Sequence, residues 1–262
     1  VRMQIGGSDF NGPIDCLTRT VRNEGIRGLY KGMASPLIGC AAVNSLLFWA
    51  YSYGKSIQTG SLDATPTLGQ IAIAGAGAGI VNSILASPVE LLKVRLQVQN
   101  STASAGNTLF RGPVHLARHL AHQFGARGIM WGFWATVARE VPAYAAFYTG
   151  FEFTKRRLAK ALAGGDSSKL GALPLMFSGS VGGVCYWTAC YPLDVIKSRV
   201  QNATAPPRGV GYIARAAGDI MKEQGVKGFF RGYTPSVVRS IPAAGVTFAT
   251  YELVIRALND IK

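Results

Sequence analysis

The chain has 262 residues, 48% of them hydrophobic and only 15% charged, where soluble domains carry about 25% charged residues. With a mean hydropathy of +0.21, this composition favours a membrane protein over a soluble one. The formal net charge of +14 fits nucleic acid, anionic lipid or anionic small molecules as partners. The bases lie between long apolar runs rather than in one tract, and no aromatic-basic platform accompanies them, which favours lipid and substrate and sets nucleic acid aside.

The chain opens on Val1-Arg2-Met3-Gln4, the tail of a pattern that recurs further on. Pro13–Glu24 reads as a short amphipathic helix, followed by the phrase Glu24-Gly-Ile-Arg-Gly-Leu-Tyr30-Lys31-Gly32. A long apolar helix is predicted over Ala34–Tyr53, and a tight link over Gly60–Thr67. Leu68–Ser87 is the next apolar span. It runs into Pro88-Val89-Glu90-Leu91-Leu92-Lys93-Val94-Arg95-Leu96-Gln97. Proline removes a donor and clashes one turn back, so a kink or helix end is expected there. Polar Asn100–Thr108 is expected to be a flexible connection.

The order then repeats. Pro113–Phe124 is amphipathic, Phe124-Gly-Ala-Arg-Gly-Ile-Met130-Trp131-Gly132 follows, and Ala135–Phe153 is apolar. Gly164–Leu173 links to the apolar run Leu175–Tyr191, which ends in Pro192-Leu193-Asp194-Val195-Ile196-Lys197-Ser198-Arg199-Val200-Gln201. Asp194 and Lys197 sit three apart and so share a helix face. After the polar stretch Asn202–Gly211 come the amphipathic Tyr212–Gln224, the phrase Gln224-Gly-Val-Lys-Gly-Phe-Phe230-Arg231-Gly232, and a last apolar span over Ser236–Ile255.

Gly25, Gly125 and Gly225 recur at a spacing of 100, as do Gly32, Gly132 and Gly232. Arg139 matches Arg239, Pro142 matches Pro242, and Glu152 matches Glu252. The sequence therefore divides into repeat one (residues 1–60), repeat two (61–165) and repeat three (166–262). Three two-helix units call for six spans, and five are found, most near the roughly 20 residues that cross a bilayer. The missing one is the first helix of repeat one, with its proline and acid. A complete product without it is expected to transport poorly or not at all. Small residues at Gly75-Ala-Gly77-Ala-Gly79 and Gly179-Ser-Val-Gly182-Gly183 suit close helix approach. Arg139, Glu140, Glu152, Arg239 and Glu252 lie inside apolar runs, where charge is costly, so they are expected to face a watery cavity.

The combination Px[DE]xx[KR]x[KR] and [DE]Gxxxx[WYF][KR]G, in three repeats of about 100 residues, is similar to the mitochondrial carrier family along the whole chain. The resemblance implies an all-α membrane protein: a six-helix barrel around one central site, multi-pass in the mitochondrial inner membrane, with three short matrix helices on its surface. It implies a monomer that takes a small zwitterionic metabolite and membrane lipid, cardiolipin at the matrix helices, as partners, with no cofactor. It also implies two charged gates. At the matrix gate Glu90 would pair with Lys197, Lys93 and Asp194 would pair with the missing helix, and Gln97, Gln201 and Gln4 would act as braces. At the cytosolic gate, the motif [FY][DE]xx[KR] falls on Tyr51-Ser52…Lys55, Phe151-Glu152…Lys155 and Tyr251-Glu252…Ile255. Only Glu252 with Lys55 is complete there, so this gate is expected to be weak. Repeat two departs from the motif at Phe124, Met130 and Trp131, and repeat three at Gln224. These departures bear on lipid contacts and caps rather than on the fold.

A symmetric barrel must grip an asymmetric cargo through residues that differ between repeats. Gly39-Cys40 aligns with Arg139-Glu140 and Arg239-Ser240, and Val43-Asn44 aligns with Ala143-Tyr144 and Ala243-Ala244. Arg139 or Arg239 suits a carboxylate, and Glu140 a positive nitrogen. The alternative is an Arg139–Glu140 pair that neutralises itself. The divergence of adjacent helical side chains argues mildly against that. Arg-Glu followed by Val-Pro, Trp187, and Gly32-Met-Ala-Ser-Pro36 resemble the carnitine/acylcarnitine and amino-acid branch. The expected activity is antiport of carnitine and acylcarnitines, or otherwise carriage of basic or neutral amino acids. Trp187, Tyr186 and Tyr144 could supply aromatic faces for a quaternary ammonium.

Other signals carry less. Ile80 stands where a dinucleotide loop needs its third glycine, and no strand pattern precedes it. His115, His119 and His122 share a helical face but lack a carboxylate partner for a metal, and read as solvated. Cys16, Cys40, Cys185 and Cys190 have no CxxC spacing and read as free thiols. No nucleophile-base-acid constellation stands out, so no enzymatic activity is expected.

Overall fold

The computed structural model describes residues 13–24, 34–60, 66–98, 110, 112–203, 207, 209 and 211–243. Gln4, Glu252, most of the first glycine phrase and the end of the last apolar span lie outside them. The described residues are helical, without a strand. In order they form α1 (Pro13–Glu24), α2 (Ala34–Thr59), α3 (Leu68–Val98), α4 (Pro113–Phe124), α5 (Ala126–Ile129), α6 (Phe133–Leu162), a 3-10 turn (Ser167–Lys169), α7 (Ala172–Gln201), α8 (Tyr212–Gly228) and α9 (233–243).

The long helices outrun the predicted spans. Of them, α3 has 31 residues and α6 and α7 have 30 each, with Pro88, Pro142 and Pro192 inside them. The expected breaks at proline do not end the helices. Packing on the far side of each proline outweighs one lost hydrogen bond, since Leu91, Val94 and Leu96 follow Pro88 into the interior, and Val195, Ile196 and Val200 follow Pro192. At 1.5 Å per residue such helices are about 45 Å long, more than a bilayer core of about 30 Å. Within α3, Leu68–Gln97 is long and apolar enough to cross a membrane.

Two compact units share these helices. The first takes its described residues from Val1–Trp49, Ile80–Glu140 and Tyr191–Gly232, and the second from Ala50–Gly79, Val141–Cys190 and Tyr233–Lys262.

The first unit has a core of Leu91, Leu96, Leu116, Leu120 and Trp131, with Leu92, Phe110 and Phe124 packed against it. Leu116 and Leu120 are one turn apart, so α4 buries a single face. Trp131 donates its indole N–H to the Val200 carbonyl at 3.0 Å and carries the Arg95 guanidinium 3.9 Å from its ring centroid. Arg95 in turn donates to the carbonyls of Gln201 and Ala203, closing the end of α7. Gly125 and Gly225 both have φ of +63°, a left-handed turn that a side chain would strain. Gly225 breaks the helical path of α8 directly after Gln224, as Gly125 does after Phe124, and a further turn runs on to Gly228. Burial pushes the Tyr212 phenol above its ordinary pKa. It stays protonated, and its oxygen accepts the Ala135 N–H at 3.1 Å.

In the second unit small residues set the helix spacing. A Cβ at Gly75 would lie 2.7 Å from the Tyr144 carbonyl oxygen, and one at Gly150 2.8 Å from Cys185 Sγ. Glycine alone permits this approach. Tyr51 and Tyr148 stack at 3.8 Å between centroids. Along α3, which contributes to both units, Ile73, Ile80 and Ile84 lie on one helical face and are at least half exposed.

Candidate functional site

Three helices bring charge into the interior of the first unit. Glu90 on α3 lies one turn before Val94 and Arg95. Arg139 and Glu140 sit on α6 before Pro142, and Asp194 and Lys197 on α7 after Pro192. Arg139 Nη2 donates to both Glu90 oxygens, at 2.7 and 2.8 Å. Lys197 Nζ donates to Glu90 Oε2. Arg139 also pairs with Glu140, and its Nε lies 3.9 Å from Asp194 Oδ1. The side chains of Arg139, Glu140 and Lys197 are 4%, 2% and 4% exposed. In a low dielectric such ions persist only when paired and hydrogen-bonded.

The cluster joins the bases Arg139 and Lys197 to the acids Glu90, Glu140 and Asp194. The mild argument against an Arg139–Glu140 pair is overturned. One guanidinium presents several N–H groups, so Arg139 reaches its sequence neighbour and Glu90 together. Asp194 and Lys197 share a helix face; Lys197 takes Glu90, and Asp194 lies near Arg139.

Asn82 was not among the candidates from sequence. Only 1% exposed, it donates its amide Nδ2 to Glu140 Oε2 at 3.1 Å. An amide inside the apolar run Ile80–Ala86 was the signal that could have found it. Lys93 and Gln97 are half-buried. Gln201 is fully buried against Gly132, and its amide has no hydrogen-bond partner among the described residues. Val43 is half-buried and Asn44 exposed on α2.

The second unit holds an aromatic row. Tyr144 meets Tyr186 at 5.4 Å, Tyr186 meets Trp187 at 5.4 Å, and the exposed Arg239 places its guanidinium 5.5 Å from the Trp187 ring. That distance is within cation–π range. Glu152 pairs along its own helix, with Lys155 at 3.5 Å and Arg156 at 2.9 Å. Arg156, also missed from sequence, donates to the Pro66 carbonyl. Lys55 is half-buried. No group of three or more His, Cys, Asp or Glu able to hold a metal occurs among the described residues.

Comparison with known proteins adds a second line. The family model described as "Mitochondrial carrier protein" matches residues 1–62, 64–162 and 168–262. The chain is 40% identical over 259 residues to a mitochondrial carnitine/acylcarnitine carrier-like protein of Arabidopsis thaliana, covering 95% of this chain and 85% of that one. It is 34% identical over 262 residues to mitochondrial ornithine transporter 1 of Rattus norvegicus, covering 96% and 84%. To the mitochondrial carnitine/acylcarnitine carrier protein of Macaca fascicularis it is 32% identical over 254 residues, covering 95% and 81%.

Proposed function

The chain belongs to the mitochondrial carrier family, and on that premise we propose that it exchanges carnitine and acylcarnitines across the mitochondrial inner membrane. It is a mitochondrial transporter of small metabolites. The finer reading is antiport by alternating access, through a three-repeat barrel of membrane-spanning helices. The exposed isoleucine face of α3 supports a lipid boundary.

The observation that carries the substrate reading is the buried Glu140 carboxylate, whose Arg139 partner is shared with Glu90. A buried carboxylate that shares its base with a second acid favours a cationic head over an anionic one. Glu140 takes the positive nitrogen, and on the repeat correspondence Arg239 takes the carboxylate. Within the second unit the row Tyr144, Tyr186 and Trp187 offers faces of the kind that suit a quaternary ammonium, which cannot donate hydrogen bonds. Glu90 with Lys197 and Arg139 serves as the matrix gate. It opens when the cargo draws charge away from it. A second reading, carriage of basic or neutral amino acids, draws on the ornithine-transporter relative and on the same Glu140 carboxylate.

Liposomes reconstituted with the full-length protein and loaded with carnitine are expected to take up labelled carnitine, and labelled acetylcarnitine as well. Uptake of ornithine, lysine or glycine alone would replace the first reading with the second.

A further inference from the structure

The Asn82 amide has two ends, and only one is used. Nδ2 donates to Glu140 Oε2 at 3.1 Å. A carboxylate paired with Arg139 accepts and does not donate, which fixes the nitrogen of the amide toward it. Oδ1 is then the other end. It is buried and has no hydrogen-bond partner among the described residues. The whole residue is 1% exposed, so water does not compensate at the surface. A buried acceptor without a donor costs free energy, and such groups are rare in native interiors unless a ligand or water completes them.

The neighbours point to a ligand rather than to a packing accident. Asn82 and Ser83 are the polar residues in the run Ile80–Ala86, and leucine, which has the same branched heavy-atom skeleton, would stand at position 82 with no polar end to satisfy. Asn82 also grips a carboxylate whose Arg139 partner is shared with Glu90. Because Asn82 Nδ2 touches Glu140 Oε2, a molecule that brings a positive nitrogen to Glu140 comes close to the Asn82 amide.

We propose that Asn82 is a specificity-determining residue. Its Nδ2 positions Glu140, and its Oδ1 accepts a hydrogen bond from an O–H or N–H of the cargo close to the cationic centre. This rests on the assignment of Glu140 to the positive nitrogen. The ligand class is a zwitterion with a donor beside its cation: a hydroxyl, or the N–H of a primary ammonium. Free carnitine has such a hydroxyl, whereas in an acylcarnitine the same oxygen is esterified and cannot donate. Glycine has N–H donors that its N-trimethyl derivative lacks.

The test is competition for exchange in liposomes, using both pairs: carnitine against acetylcarnitine, and glycine against trimethylglycine. In the wild type the pair that competes names the substrate, so failure of the carnitine reading is seen separately from failure of the Asn82 role. For that pair, Asn82→Leu is expected to weaken the donor-bearing member about 3- to 10-fold more than the donor-free one. Disturbing Glu140 alone would weaken both members equally, because both carry the positive nitrogen. An unchanged ratio between the two therefore overturns the proposal. Asn82→Ala, which only removes atoms, carries the same ratio test if Asn82→Leu fails to insert.

Discussion

Arg139 and Arg239 occupy equivalent places in the repeat pattern but do different work. Arg139 is buried and holds Glu90 and Glu140 at once. Replacing it with methionine leaves Glu140 with the Asn82 amide and Glu90 with Lys197. Breaking a buried pair in this way costs about 3–5 kcal/mol. Arg139→Met is therefore expected to lower the melting temperature of the detergent-purified protein sharply; an unchanged value would mean that the acids do not depend on it. Arg239 is exposed, so Arg239→Ala is expected to change stability by less than about 0.5 kcal/mol. Transport is nevertheless expected to be abolished while insertion is kept, and retained exchange would remove Arg239 from the site. The charges themselves were legible, because ionisable residues inside apolar runs stand out. Their pairing was not, because Glu90, Arg139 and Lys197 come from three helices and no spacing encodes which acid meets which base. Trp131 was legible only as a departure from the repeat. Its roles, carrying Arg95 and donating to Val200, depend on the end of another helix.

At the scale of the element, the amphipathic helices were read nearly to the residue. Pro113–Phe124 begins with proline at its first turn and is followed by Gly125 in a left-handed turn, two local signals that need no tertiary context. The spans before Pro88 and Pro192 were drawn short because a kink or a helix end was expected at each proline. Buried residues beyond Pro88 and Pro192 keep those helices going. The glycines of α3 divide by environment. A Cβ at Gly75 would meet Tyr144 backbone at 2.7 Å, whereas at Gly77 nothing lies within 4 Å. Gly75→Ala is expected to cost about 1–3 kcal/mol through overpacking. Gly77→Ala is expected to be neutral or slightly stabilising, because alanine is the better helix former. Thermal unfolding of the two variants side by side checks this, and equal losses would contradict the close approach of α3 to Tyr144.

For the whole molecule, the charge of +14 and the exposed apolar faces are reconciled by a membrane setting. Carbonate extraction of mitochondria is expected to leave the protein in the membrane pellet, and release into the supernatant would contradict that setting. Family membership was legible because its signature is a repeat, and Gly125 and Gly225 even share one backbone angle. Cargo is harder to read, since it depends on residues that break the repeat. The most direct measurement is a thermal shift with carnitine on the purified wild type and on Glu140→Gln. Ligand at 100 times its dissociation constant stabilises by about 2.7 kcal/mol. The account predicts a clear rise in melting temperature for the wild type and none for Glu140→Gln. An equal rise in both, or no rise in the wild type, would contradict it.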